Sequence, residues 1–132
     1  IIYMNELTFQ GRVEKGEGIA ARLGCPTANI AVEQGVIIPA LGLYVGLSEV
    51  EGVTYPSVVC INDGRTGHNL KMEVHLLGTE KNLEGKHMII SLLEKMRGLI
   101  PFDSEEMMTK LIEQDLINAT AWFDEHGYKI ES

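Results

Sequence analysis

Cysteine is scarce in this chain: Cys25 and Cys60 are the only two in 132 residues, too few for a disulfide framework. They lie far apart in apolar segments, without the CxxC spacing of a zinc or redox site, and read as two reduced thiols. Positive charge is scarce as well. Eleven Lys and Arg stand against 19 Asp and Glu, giving a net charge of −8. Such a surface repels a phosphate backbone, and no basic cluster compensates locally, which excludes nucleic acid as a partner. No apolar run is long enough to span a bilayer and no secretory leader is visible, so the sequence predicts a cytoplasmic protein without membrane contact. The 4 histidines form no HxxxH set, and no GxxxxGK[ST] stretch occurs, which removes zinc and P-loop chemistry. An anionic ligand would have to be met by backbone N–H groups or by a metal ion.

What is present is the material of one folded core. Hydrophobic residues make up 45% and charged residues 23%, ordinary for a globular protein, and residues 1–132 are read as a single domain. Leu7, Phe9, Gly11 and Val13 alternate with Thr8, Gln10, Arg12 and Glu14, the period of a half-buried strand. The same period recurs at Leu43, Val45 and Leu47, at Leu70, Met72, Val74 and Leu76, and at Met88, Ile90 and Leu92. Val58 to Ile61 adds a β-branched run that stops at the turn signal Asn62-Asp63-Gly64. At least five strands with short Gly- or Pro-marked turns predict a β-barrel or sandwich. The period then changes. Met108, Leu111, Ile112, Leu116, Ala119 and Phe123 recur at three- and four-residue steps, which predicts one amphipathic helix over 104–125. Asp103 is the expected N-cap, with Glu106 reaching back as in a capping box, and Gly127 is the expected stop.

Three segments carry chemistry, each with a plainer alternative. Gly16-Glu17-Gly18-Ile19-Ala20-Ala21 has the letters of a dinucleotide-binding turn, but Gly24 and Pro26 interrupt the helix such a turn must open. It reads as an ordinary turn, or as a loop whose backbone amides approach phosphate. In Pro26-Thr27-Ala28-Asn29 the proline favours extended backbone, and Thr27 and Asn29 are two residues apart, which puts them on one side of an extended segment. They are either surface polar residues of a turn or a pair of hard oxygen ligands suited to Mg²⁺ beside nucleotide phosphates. Glu73 and His75 share the polar face of a strand whose other face is apolar. Glu73 is either solvated or, if that face lines a pocket, a carboxylate placed to take a proton.

In chain order, Gly11-Arg12-Val13, Gly16, Leu23-Gly24-Cys25-Pro26-Thr27-Ala28-Asn29-Ile30, Pro39, Gly42-Leu43-Tyr44, Glu73-Val74-His75-Leu76-Leu77, Leu83-Glu84-Gly85, Arg97, Phe102-Asp103-Ser104 and Asp115 resemble the riboflavin kinase family over nearly the whole chain. The resemblance implies a mainly β fold, a six-stranded antiparallel Greek-key barrel with a C-terminal helix. It implies Mg²⁺-dependent transfer of the ATP γ-phosphate to the riboflavin 5′-hydroxyl, giving FMN and ADP; a monomer is expected. It also implies that Glu73 is the base and that Thr27 and Asn29 hold the metal. Gly16, Gly18 and Pro26, with Thr27 and Asn29, would meet the nucleotide. Ile90, Arg97 and Phe102 would meet the flavin, with 97–102 a mobile cover over its ring. The sequence departs from the family at Ala20-Ala21, Ile61 to Thr66, Glu84 and Leu99, which leaves open a flavin- or nucleotide-binding module with weak or lost kinase activity.

Overall fold

Period-two spacing becomes strand along most of the chain, and the strands pair antiparallel throughout. The computed structural model describes residues 7–14, 28–32, 40–62, 71–79, 82–101 and 103–130. They form β1 (Leu7–Glu14), β2 (Ala28–Val32), β3 (Gly42–Val50), β4 (Val53–Asn62), β5 (Lys71–Leu76), β6 (His87–Arg97) and one helix, α1 (Glu105–Glu125). The sheet curls on itself in the order β1-β2-β5-β4-β3-β6, and β6 pairs back to β1. Closure leaves these strands no free edge, so each central backbone group finds a ladder partner.

Alternation along each strand sorts side chains between the barrel interior and its outer face. Phe9, Val13, Tyr44, Val59, Ile61, Met72, Val74, Met88 and Ile90 fill the interior. Two serine hydroxyls share it. Ser57 donates to the Gly46 carbonyl at 3.0 Å and its oxygen lies 2.8 Å from that of Ser48, so the proton between the serines comes from Ser48. The second apolar cluster lies outside, where Leu43, Val45 and Val58 meet Ala119 and Phe123 of α1.

β3 is apolar on both faces. Leu43, Val45 and Leu47 point toward the helix, and Tyr44 and Val50 point into the barrel, because both faces of this strand are covered. β4 is longer than its β-branched run: it starts at Val53 and includes Pro56 and Asn62. Pro56 is tolerated because its carbonyl accepts from the Leu77 N–H at 2.9 Å and no donor is asked of it there. The β3–β4 hairpin closes through Glu51 and Gly52, at φ of 51° and 79°, the positive pair a tight two-residue turn needs. Two register shifts between β3 and β6 leave Leu93 and Met96 without a direct partner, and both pack into the outer cluster. These shifts keep Arg97, the last residue of β6, opposite Leu43. Gly42 is required there, since a Cβ at that position would lie 2.6 Å from the Arg97 carbonyl oxygen.

The helix starts one residue later than the expected cap. Ser104, not Asp103, is the N-cap, and its hydroxyl accepts from the Met107 N–H at 3.1 Å. At its end the Tyr128 N–H bonds to the Phe123 carbonyl at 2.9 Å and the Gly127 N–H to that of Asp124 at 3.2 Å. That is a Schellman closure, sealed by an edge-on contact between the Tyr128 and Phe123 rings. Among the described residues no helix is long and apolar enough to cross a membrane.

Candidate active site

The antiparallel register assembles one row of residues across the barrel. Asn29 on β2 is the cross-strand partner of Glu14 on β1 and of Glu73 on β5. Glu73 stands opposite Cys60 on β4, Cys60 opposite Leu43 on β3, and Leu43 opposite Arg97 on β6. Directly opposed residues share a face. Glu73 takes the outer face, because Met72 and Val74, on either side of it in β5, are buried in the barrel.

Glu73 is half-buried, and desolvation pushes its carboxyl above the ordinary range, with Lys71 pulling the other way. A carboxylate so placed is a better proton acceptor than a fully solvated one. Cys60 is a free thiol between Glu73 and the helix. Burial is the main cause that raises it, the Asn62 amide 3.8 Å from its sulfur lowers it, and Glu73, Arg97 and Asp115 are all close enough to act on its charge. At the end of the row Arg97 meets Asp115 of α1 edge-on, Nε to Oδ1 at 2.9 Å and Nη2 to Oδ2 at 2.6 Å, and its Nη1 donates to the Gly98 carbonyl at 2.8 Å. Asp115 occupies the buried stripe of α1 with Ala119 and Phe123, where its charge is acceptable only because Arg97 pairs with it. Among the described residues no group of three or more His, Cys, Asp and Glu gathers to hold a metal.

Of the residues singled out in the sequence, Glu73, Arg97 and the backbone of Asn29 fall on this row. Gly16, Gly18, Pro26, Thr27 and Phe102 lie outside the described residues. Ile90 does not fit its expected flavin contact: it is 0% exposed in the barrel interior, because its strand position faces inward. Arg97 is not part of a loose cover either, since it closes β6 and is clamped to the helix. Glu14, Cys60 and the pairing of Asp115 escaped the sequence reading. The visible signal was an acid at 115 where the three- and four-residue spacing asks for an apolar residue.

A closed antiparallel barrel with a helix on its outer face and a half-buried carboxylate on its wall defines a small-barrel class. Comparison with known proteins narrows the class. Residues 3–123 match the sequence profile of the family described as flavokinase, riboflavin kinase. The bifunctional riboflavin kinase/FMN adenylyltransferase of Escherichia coli K12 is 32% identical over 121 residues, covering 87% of this chain and 37% of that protein. The enzyme of the same name from Listeria monocytogenes is 29% identical over 119 residues, covering 88% of this chain and 38% of that protein. The chain thus spans under two fifths of these relatives' length. Among solved structures, a riboflavin kinase from Trypanosoma brucei superposes with a TM-score of 0.65 at 21% identity, covering 92% of this chain and 82% of that one. A Streptococcus pneumoniae structure described as a macrolide-efflux protein gives 0.80 at 23% identity, covering 89% and 39%. Both structural likenesses speak to the fold. The chain belongs to the riboflavin kinase family.

Proposed function

We propose that this chain is a riboflavin kinase, transferring the γ-phosphoryl group of ATP to the 5′-hydroxyl of riboflavin to give FMN and ADP. The observation that carries the reading, within the family, is the register that sets Asn29 directly opposite a half-buried Glu73. In the reaction the hydroxyl oxygen forms a bond to the γ-phosphorus while the bond from that phosphorus to the β,γ-bridging oxygen breaks. The hydroxyl proton passes to the Glu73 carboxylate, and ADP leaves with the bridging oxygen. An unactivated alcohol needs such an acceptor, and the raised proton affinity of Glu73 suits the task.

Thr27 and Asn29, a hydroxyl and an amide oxygen, are hard donors of the kind Mg²⁺ accepts alongside phosphate oxygens and water. When bound there, the ion offsets negative charge on the phosphates in a chain whose own net charge is −8. We assign Gly16, Gly18 and Pro26 to the nucleotide side, and Arg97 and Phe102 to the flavin side. The free Cys60 thiol fits a reducing cytoplasm, where we place this activity, with residues 1–132 folding as a single domain that acts as a monomer.

The test is incubation with riboflavin and Mg-ATP followed by chromatography for FMN. FMN that forms and is lost on chelation of Mg²⁺ is the expected result. Flavin or nucleotide binding without FMN overturns the reading in favour of a binding module.

A further inference from the structure

Asp115 is the sole charged side chain in the buried set of the described residues, which otherwise holds apolar groups and two serines. Its place in α1 continues the stripe of Ala119 and Phe123, so an apolar residue there would dock the helix at least as well. A buried acid therefore calls for a reason other than docking. The reason visible in the structure is Arg97. Both carboxylate oxygens grip one edge of its guanidinium, and Nη1 is turned onto the Gly98 carbonyl. A guanidinium carries five N–H groups. These contacts take one from each nitrogen, which leaves one N–H on Nη1 and one on Nη2 beyond them. The Arg97 side chain is 26% exposed, so these donors are not sealed from solvent. Arg97 ends the row that contains Glu73, and its charge reaches Cys60, the residue next to Glu73 in that row.

From this geometry we infer that Asp115 is a positioning residue for the flavin substrate: it fixes the plane of the Arg97 guanidinium so that its remaining N–H donors meet acceptor oxygens of a flavin lying along the Glu73 row. The inference rests on the riboflavin kinase reading above. It makes α1 part of the site, acting through Arg97 and not by contact with ligand. A clamped guanidinium loses little freedom when it binds, and an unclamped one must be ordered at the moment of binding.

Two variants test it, each assayed for FMN formation and for thermal stability. Asp115→Asn is expected to raise the KM for riboflavin about tenfold, the scale of one charge-assisted hydrogen bond, with kcat and the KM for ATP nearly unchanged. The double variant Arg97→Asp/Asp115→Arg keeps an ion pair between strand and helix but moves the guanidinium off β6. It is expected to recover thermal stability relative to Asp115→Asn while its riboflavin KM stays high. A wild-type riboflavin KM in either variant overturns the inference, and so does loss of folded protein in both, which would make the pair a structural anchor. Absence of FMN from the unmodified chain instead overturns the kinase reading, so the two failures are distinguishable.

Discussion

Inside the barrel, Phe9, Val59, Ile61, Met72, Met88 and Ile90 pack in one cluster beside a pair of mutually bonded serines, and among the described residues no buried Asp, Glu, Lys, Arg or His joins them. Beneath α1, on the other side of the same strands, Leu43, Val45, Val58, Ala119 and Phe123 are as well packed but border Cys60, Arg97, Asp115 and Glu73. The difference lies in closure. The barrel wall is paired backbone all the way round, so a charge on its inner face would be cut off from solvent along that wall. The outer cluster has a rim, where an acid can be half-desolvated and still be reached. The structure thus separates a region that holds the fold from one that holds both a helix and a chemical site.

Substitutions can break this division, and the largest expected effect falls on the rim. Glu73→Gln keeps volume and shape but cannot take a proton, so turnover should fall by on the order of 10²–10⁴ with a nearly constant KM for both substrates. Steady-state FMN formation measures this, and wild-type turnover would remove Glu73 as the base. The same variant has a stability signature of known sign. Burial raises the Glu73 carboxyl, so the folded state favours its protonated form. That contribution is full below the ordinary carboxylate pKa and is lost as pH rises through the raised value. Glu73→Gln, neutral at every pH, should therefore melt higher than wild type near neutral pH and lose the advantage below about pH 4. Wild-type turnover should in turn decline as pH falls through the raised value.

The next effect sharpens the comparison from the helix side. Phe123 is 0% exposed and joins α1 to the outer cluster, so Phe123→Ala should cost about 3–5 kcal/mol in chemical denaturation. If α1 were merely draped on the barrel, the loss would be well under that. Within the interior, Ile90→Val should cost about 0.5–1.5 kcal/mol and leave the riboflavin KM at its wild-type value. A raised KM would mean that the interior reaches the flavin and the two regions are not separate. The smallest expected change is Ser104→Ala, about 1 kcal/mol from the lost cap with kinetics unaltered, read as a shift in the melting temperature.

Local pattern carried much of this protein. The alternation around Phe9, Met72 and Met88 made strands, and the stripe through Leu111 and Phe123 made a helix, because each period admits only one way to turn apolar groups to one side. Glu73 was legible for the same reason, as an acid on the polar face of an otherwise apolar strand. Other features were beyond local pattern. The facing of Leu43 and Val45 depends on α1, more than 50 residues away, covering the outer surface of β3. The helix cap moved from Asp103 to Ser104 because backbone geometry, not residue preference, decided which oxygen met the Met107 N–H. The resemblance implied that Ile90 meets the flavin, whereas its side chain is enclosed in the barrel, on the apolar face that the period-two spacing had marked. The row from Asn29 through Glu73 and Cys60 to Arg97 comes from four different pairings among five strands. Register across a closed barrel is a property of all its strands together. Sequence alone therefore determined which segments become strand or helix and which residues could do chemistry, and only the tertiary fold decided which strands pair and which of those residues stand side by side.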